Sequence, residues 1–228
     1  DAFIPSEEHQ IVAFGNQLLI FDGNRNTINA STDGVFWQEV DVAGSVVDDT
    51  HWLPRHNHQT IIYNNKIYLI GGNSGGLAMT DVWVSDDSVN WTRIKENDDT
   101  QWPRGNGFQV VVANGAMFLL SGHVPSDQSR SSEVWTSTDG ANWSLLTTAE
   151  FDAPQGYTAV VYERAGNDEI WVISGSVANE IWVSTDGFDW ELRSSGAQTE
   201  MPYRSEYEAI FFQDKIWVFY GKGQSLGD

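Results

Sequence analysis

Val134-Trp135-Thr136-Ser137-Thr138-Asp139-Gly140-Ala141-Asn142-Trp143 comes back along the same chain. Ile181 to Trp190 reads Ile-Trp-Val-Ser-Thr-Asp-Gly-Phe-Asp-Trp, and Val82 to Trp91 reads Val-Trp-Val-Ser-Asp-Asp-Ser-Val-Asn-Trp, with Ser88 in the glycine position. A fourth copy runs from Asn29 to Trp37, with Asn29 in place of the first tryptophan. The closing residues Trp37, Trp91, Trp143 and Trp190 recur at intervals of roughly fifty residues, which points to a repeat architecture before any other reading. Function is therefore read from what such a repeat builds.

A second repeated element lies out of phase with the first. His9 leads an apolar run to Asp22-Gly23, and the interval returns from His58 to Gly72, Phe108 to Gly122 and Tyr207 to Gly221. Inside it two strand-like runs flank a turn: Ile61-Ile62-Tyr63, then Asn64-Asn65, then Ile67-Tyr68-Leu69-Ile70. In the third unit the turn is Asn114-Gly115, the pair best suited to positive φ in a two-residue hairpin. The fourth interval, Tyr157 to Gly175, is longer, and its extra residues are expected to lengthen the turn between Glu163 and Glu169.

Each unit is thus two hairpins in series. The first is the more apolar, with Val110-Val111-Val112 and Met117-Phe118-Leu119-Leu120, and is expected to be the buried inner pair. The second turns at Asp33-Gly34, Asp139-Gly140 or Asp186-Gly187 and carries alternating tryptophans. A four-stranded sheet cannot bury both of its faces alone, so the units stack, most simply around a common axis. The expectation is an all-β fold, a β-propeller of four-stranded antiparallel blades: 6–47, 54–99, 103–150 and 154–200, with a half blade at 202–228. About four and a half blades leave a ring open, and an open ring exposes an apolar face and a strand edge. Further sequence or another chain is expected to complete it.

Composition narrows the function classes. With 40% hydrophobic and 13% aromatic residues the chain can bury a large core, so disorder is not expected. No run approaches the roughly 18 apolar residues of a membrane helix. Zero cysteines exclude disulfides and thiol chemistry. The chain begins at Asp1, as a processed or excised piece would. Its 32 acidic against 12 basic residues give a net charge of −20, which repels phosphate backbones and anionic membranes and suits cations, a basic protein or a salty medium.

The blade pattern resembles the kelch repeat, as found in kelch proteins and the central domain of galactose oxidase. The resemblance rests on Gly71-Gly72, preceded by Pro54-Arg55 and followed by Asp81-Val82-Trp83 and Trp91. The other units depart from the double glycine, reading Asp22-Gly23, Ser121-Gly122, Ser174-Gly175 and Tyr220-Gly221. Galactose oxidase chemistry needs a cysteine-linked tyrosine, and there is no cysteine. Ser-Thr-Asp-Gly-x-x-Trp resembles the Asp-box of sialidases, one residue shorter between aspartate and tryptophan. In such a turn the aspartate accepts backbone N–H bonds, glycine takes the left-handed position and tryptophan packs beneath. Asp33, Asp87, Asp139 and Asp186 therefore serve the blade, because a residue present in every unit belongs to the scaffold.

Alternate connections of an up-and-down blade share one side, so the longer links, with Asn73 to Thr80 among them as a loop, form one face, the expected binding face. Trp52, Arg55, His56, Trp102, Arg104, His123, Tyr203, Arg204 and Glu206 fall on it. Arg55, Arg104 and Arg204 open successive inner strands. As a cluster they could grip a carboxylate, as sialidase arginines do; the preferred reading pairs each with an acidic neighbour and so ties adjacent blades together. Asp48-Asp49 and Asp98-Asp99 are weak calcium candidates, with no loop pattern to supply the six to eight oxygens such a site wants. No other cofactor is expected. His58 occupies a position filled elsewhere by His9, Phe108, Tyr157 and Tyr207, which marks it as a packing residue. His51, His56 and His123 lack the companions of a transition-metal site.

These readings converge on a non-catalytic binding or scaffold propeller that recognises a protein or glycan through the long-loop face, without nucleic acid or membrane insertion. One alternative is a glycan-processing, sialidase-like enzyme using Tyr203, Arg204, Glu206 and Tyr207. Another is a structural repeat within a larger secreted adhesin. Resemblance to secreted bacterial kelch-like proteins implies a periplasmic or extracellular setting.

Overall fold

The structure, a computed structural model, describes residues 8–23, 25–43, 50–98, 100–102, 105, 107–124, 129–151, 156–164, 166–174, 180–195, 204–205, 208–219 and 222–223. All regular elements among them are β-strands. Four four-stranded antiparallel sheets, each in up-and-down order, give the chain the blades of a β-propeller. The chain divides into two compact units, Asp1–Arg104 with Asp139–Asn142, and Gly105–Thr138 with Trp143–Asp228.

The first unit holds two sheets. β1 (Gln10–Phe14), β2 (Gln17–Phe21), β3 (Ile28–Ser31) and β4 (Gln38–Glu39) pair in that order, as do β5 (Gln59–Tyr63), β6 (Lys66–Ser74), β7 (Leu77–Ser85) and β8 (Thr92–Lys95). The inner turn of the second sheet is Asn64-Asn65, both at positive φ (47° and 57°), the conformation whose twist matches a tight hairpin. Alternation sends Leu19, Phe21 and Ile28 from one sheet and Ile67, Leu69, Trp83 and Trp91 from the other into a single core around Trp52. The Trp52 ring lies 4.7 Å from Trp91 and 6.5 Å from Trp83, both edge-on, and Phe21 meets Trp91 at 89°. Edge-on contacts set the electropositive rim of one ring against the π-face of the next.

One link read from sequence as a loop is built differently. Between Asn73 and Thr80 the ladder continues, with Asn73 opposite Ala78 and Ser74 opposite Leu77 around the turn Gly75-Gly76. The double glycine makes this possible. Gly71 and Gly72 take φ of 54° and 105°, the register slips there, and both strands run on as a projecting hairpin.

The second unit contains β9 (Gln109–Ala113), β10 (Ala116–Leu120), the short pair β11 (His123–Val124) and β12 (Ser129–Arg130), β13 (Glu133–Ser137) and β14 (Ser144–Thr148). Its next sheet is β15 (Thr158–Arg164), β16 (Asn167–Ile173), β17 (Ile181–Ser184) and β18 (Glu191–Ser194). β19 (Arg204–Ser205), β20 (Glu208–Phe212), β21 (Lys215–Phe219) and β22 (Lys222–Gly223) follow, with β19 paired to β22 and β20 to β21. Val111, Phe118, Leu120 and Val134 pack with Ile170, Val172 and Trp182 in the core between the two complete sheets. Polar bonds reinforce it. The Asn114 backbone N–H donates to Asp168 Oδ2 at 2.7 Å, its side-chain amide donates to Asp168 O and Thr185 O, and its Oδ1 accepts from Asp168 N–H.

The extra residues of the fourth unit do not form a longer loop. Glu163 pairs with Asp168 and Arg164 with Asn167, so they extend both strands of the β15–β16 hairpin. Continuing the antiparallel ladder satisfies backbone groups that a loop would leave to solvent.

Candidate functional site

The repeated aspartates turn their carboxylates inward on their own backbone. Asp33 Oδ1 accepts from the N–H groups of Val35 and Phe36 at 2.8 and 2.9 Å, and Asp186 Oδ1 from Phe188 and Asp189 at 2.8 and 3.0 Å. Asp87 and Asp139 repeat the pattern and add an asparagine side chain, Asn90 or Asn142, on Oδ2. The preceding serine closes the turn from the other side: Gly34 and Gly187 N–H donate to Ser31 and Ser184 Oγ. Tryptophan pins it from beneath, with Trp37, Trp91 and Trp190 Nε1 donating to the carbonyl of residue 34, 88 or 187. The Phe36 and Val35 N–H groups hold the Asp33 carboxyl below its ordinary value, and the Asn90 N–H does so for Asp87. At Asp186 burial pulls upward, but the Asp189 and Phe188 N–H groups and the Ser184 hydroxyl outweigh it. A carboxylate held ionised by two or three local donors is a structural group, poorly suited to exchanging protons near neutrality.

Arg55 is likewise committed to the scaffold. It is 2% exposed and forms a fork on Asp81, with Nη1–Oδ1 at 2.6 Å and Nη2–Oδ2 at 2.9 Å. Nη1 also donates to Gly71 O, Nε to Leu53 O, and Trp83 Nε1 donates to Asp81 Oδ2. The pair thus stitches the start of the second sheet to β7 of that same sheet, so Arg55 does not tie adjacent blades together as expected: its acid sits within its own blade. An acid two residues before the tryptophan recurs in the second unit, where Trp135 and Trp182 donate to Glu133 and Glu180.

Among the described residues expected on the binding face, His56 is accessible, at the long-loop end of the first unit. His56 and Asn73 exchange two backbone hydrogen bonds, at 3.0 and 2.8 Å, which fixes the root of the β6–β7 projection. His56 Nδ1 lies 2.8 Å from Glu8 Oε2 and 3.1 Å from Asn57 Nδ2, with the imidazole 37% and the carboxylate 47% exposed. A protonated Nδ1 donates to Glu8; an unprotonated one accepts from Asn57. Deeper in, His51 Nδ1 is 3.0 Å from the Trp52 carbonyl and 3.5 Å from Asn26 Nδ2, and burial lowers its pKa. From the root, Asn73 Oδ1 accepts from the Gly76 N–H in the turn, and at the tip Leu77 is 69% exposed. Donors, acceptors and one apolar contact on rigid strands can recognise a surface by shape and hydrogen bonding.

The residues expected on the binding face separate clearly. Trp52 and Trp102 are 3% and 2% exposed, so neither presents its ring to a ligand. Trp52 fills the core between sheets, and Trp102 lies under the Lys95 ammonium at 4.6 Å. Arg55 is buried against Asp81, while His56 is accessible. His123 and Arg204 lie on β11 and β19; Arg104, Tyr203, Glu206 and Tyr207 lie outside the described residues, as do Asp48, Asp49 and Asp99. Asp98 is engaged locally, accepting from the Thr100 hydroxyl at 2.7 Å, the Thr100 N–H and Lys95 Nζ. Glu8, Asn57 and Asn73 were not singled out from sequence. Glu8 and Asn73 meet His56 only through pairing of distant segments, whereas the partner of Arg55 could have been found from the recurrent acid before the tryptophan.

Comparison with known proteins accords with this architecture. A family model described as the DUF6242 beta propeller domain matches residues 11–191. A leucine-zipper-like transcriptional regulator 1 homolog from Drosophila melanogaster is 24% identical over 52% of this chain, and the matched part spans 13% of that relative's length. The solved structure of YjhT superposes with a TM-score of 0.76 at 13% identity, covering 97% of this chain and 74% of that one, a likeness of fold alone.

Proposed function

The chain belongs to the DUF6242 beta propeller family, and from that premise we propose that it is a non-catalytic binding module whose long-loop face recognises a protein partner. The observation that carries the reading is the β6–β7 projection, a laddered hairpin with Leu77 exposed at its tip and the His56–Glu8–Asn57 cluster at its root. The charged chemistry that could have suggested catalysis, the repeated aspartates and Arg55, is spent on turns and on a buried ion pair. With a net charge of −20, a basic segment is the favoured partner and nucleic acid is disfavoured. A relative named as a transcriptional regulator homolog is compatible with work done through macromolecular contact, although the shared region is a small part of that protein. The Gly71-Gly72 bulge, the Arg55–Asp81 pair and the Trp83 and Trp91 positions support a kelch-type assignment for the second sheet.

Screening the chain against a displayed library of basic peptides and against a glycan array tests this. Peptide binding that is lost in Leu77→Glu and His56→Ala, and kept in the outer-turn variant Phe188→Ser, is the expected result. Binding to glycans alone, or turnover of any arrayed glycan, would overturn it.

A further inference from the structure

An acid two residues ahead of a tryptophan marks the third strand of three sheets: Asp81-Val82-Trp83, Glu133-Val134-Trp135 and Glu180-Ile181-Trp182. Strand register makes the three acids equivalent, because Ile70 pairs with Val82, Leu120 with Val134 and Ile173 with Ile181. In each sheet the indole N–H donates to the acid, at 2.8 Å from Trp83 to Asp81 Oδ2, 3.0 Å from Trp135 to Glu133 Oε2 and 2.9 Å from Trp182 to Glu180 Oε2. The indole thus fixes one carboxylate oxygen and leaves room on the group for further donors.

At Asp81 the further donor is Arg55, whose fork takes both oxygens and leaves the aspartate 2% exposed. That arginine follows a proline where the chain enters the sheet, and the third sheet is entered through the same pair, Pro103-Arg104. The fourth is not. It is entered through Pro154-Gln155, and no lysine or arginine occurs anywhere from residue 131 to residue 163. Glu180, which follows the link from β16 to β17, is half-buried where Asp81 is buried, and among the described residues its carboxylate has Trp182 alone as a partner. A pair completed in one sheet and left half-made in another marks the second as available to a cation from outside the chain.

We infer that Glu180 is a recognition site for an arginine side chain of a basic partner protein, received as Asp81 receives Arg55. The inference rests on the reading of the chain as a module for such a partner and gives that partner a residue type. A guanidinium presents two parallel N–H groups that match both oxygens of a carboxylate, whereas a lysine ammonium is a point charge without that fork. Oε2, already accepting from the indole, takes one N–H through its second lone pair, as Asp81 Oδ2 does from Trp83 and Arg55 together, and Oε1 takes the other. The net charge of −20 draws a cationic segment to the chain, and the carboxylate selects arginine within it.

Two short peptides test this, one carrying arginines in a glycine–serine frame and one carrying lysines at the same positions. The arginine peptide is expected to bind the chain about fivefold or more tighter than the lysine peptide. It should also shift the Nε1–H resonance of Trp182, identified by its absence in Trp182→Phe. Glu180→Gln keeps an acceptor for the indole and removes the charge, and should bring the two affinities together. Glu191→Gln, the same loss of charge on β18 of the same sheet, should leave the preference intact. The inference fails, and the reading it rests on stands, if the two peptides bind alike, if the Trp182 resonance does not move, or if the preference survives Glu180→Gln. If neither peptide binds, both fail.

Discussion

Burial without charge makes His58 the residue through which the first unit senses pH. The residue is 1% exposed, and desolvation, followed by repulsion from Arg55 and a smaller one from His56, pushes its pKa from 6.5 down to about 3, while the Arg55 backbone and, more weakly, Asp22 pull the other way. A histidine whose folded pKa is lower than its unfolded one binds its proton mainly on unfolding. Its contribution to stability is therefore complete above 6.5 and is lost as pH falls from there toward 3. The loss should reach about 2 kcal/mol between pH 7 and pH 5. Phe108 fills the same place in the third unit, so His58→Phe should flatten the curve of urea-unfolding free energy against pH, leaving the smaller slope of His51, which burial also lowers. An unchanged slope in that variant would show that His58 is not held neutral. The turn aspartates act in a separate window. Asp33, Asp87 and Asp186 have lowered pKa values, so their contribution persists above 3.8 and is lost only as pH falls below it.

At the scale of the element, the outer hairpin distinguishes two uses of glycine. Gly187 has φ +77°, and a Cβ there would meet the Phe118 ring at 2.4 Å. Gly115, in an inner turn, has φ +78° and open space. Gly115→Ala pays only for a left-handed alanine, about 1 kcal/mol, whereas Gly187→Ala must also displace an aromatic ring and should cost about 2–4 kcal/mol in chemical unfolding. Equal losses would refute the contact. The same distinction explains what could be read beforehand. Sheet number, strand order and the Asp-Gly turns were legible because periodicity and turn residues are local signals. Asp81 as the partner of Arg55, and Glu8 as the partner of His56, depend on which distant segments pair. Trp52 was misjudged because it sits in a link between sheets, where sequence suggested a loop and three-dimensional packing makes it the centre of a core. The β6–β7 projection was hidden for the opposite reason, since Gly71-Gly72 looked like a strand end and is a bulge within a continuing ladder.

For the molecule as a whole, the sign of its charge is a constraint that the fold must work against. Among the described residues Arg55 and Asp81 form a buried pair, whereas exposed contacts such as Lys66 with Asp86 and Arg193 with Glu191 are worth little individually. With 32 acidic and 12 basic side chains, mutual repulsion grows as the chain compacts and its charges approach one another. Added salt shortens the screening length from about 30 Å at 0.01 M to below 10 Å at physiological strength, relieving that repulsion more in the folded state than in the expanded one. The melting temperature should accordingly rise by roughly 5 °C between 10 mM and 500 mM sodium chloride. The same screening should weaken capture of a basic partner. Opposite responses of stability and binding to one variable are the signature of a shared acidic surface, and a melting temperature that stayed flat or fell with salt would mean that local pairing already cancels the repulsion.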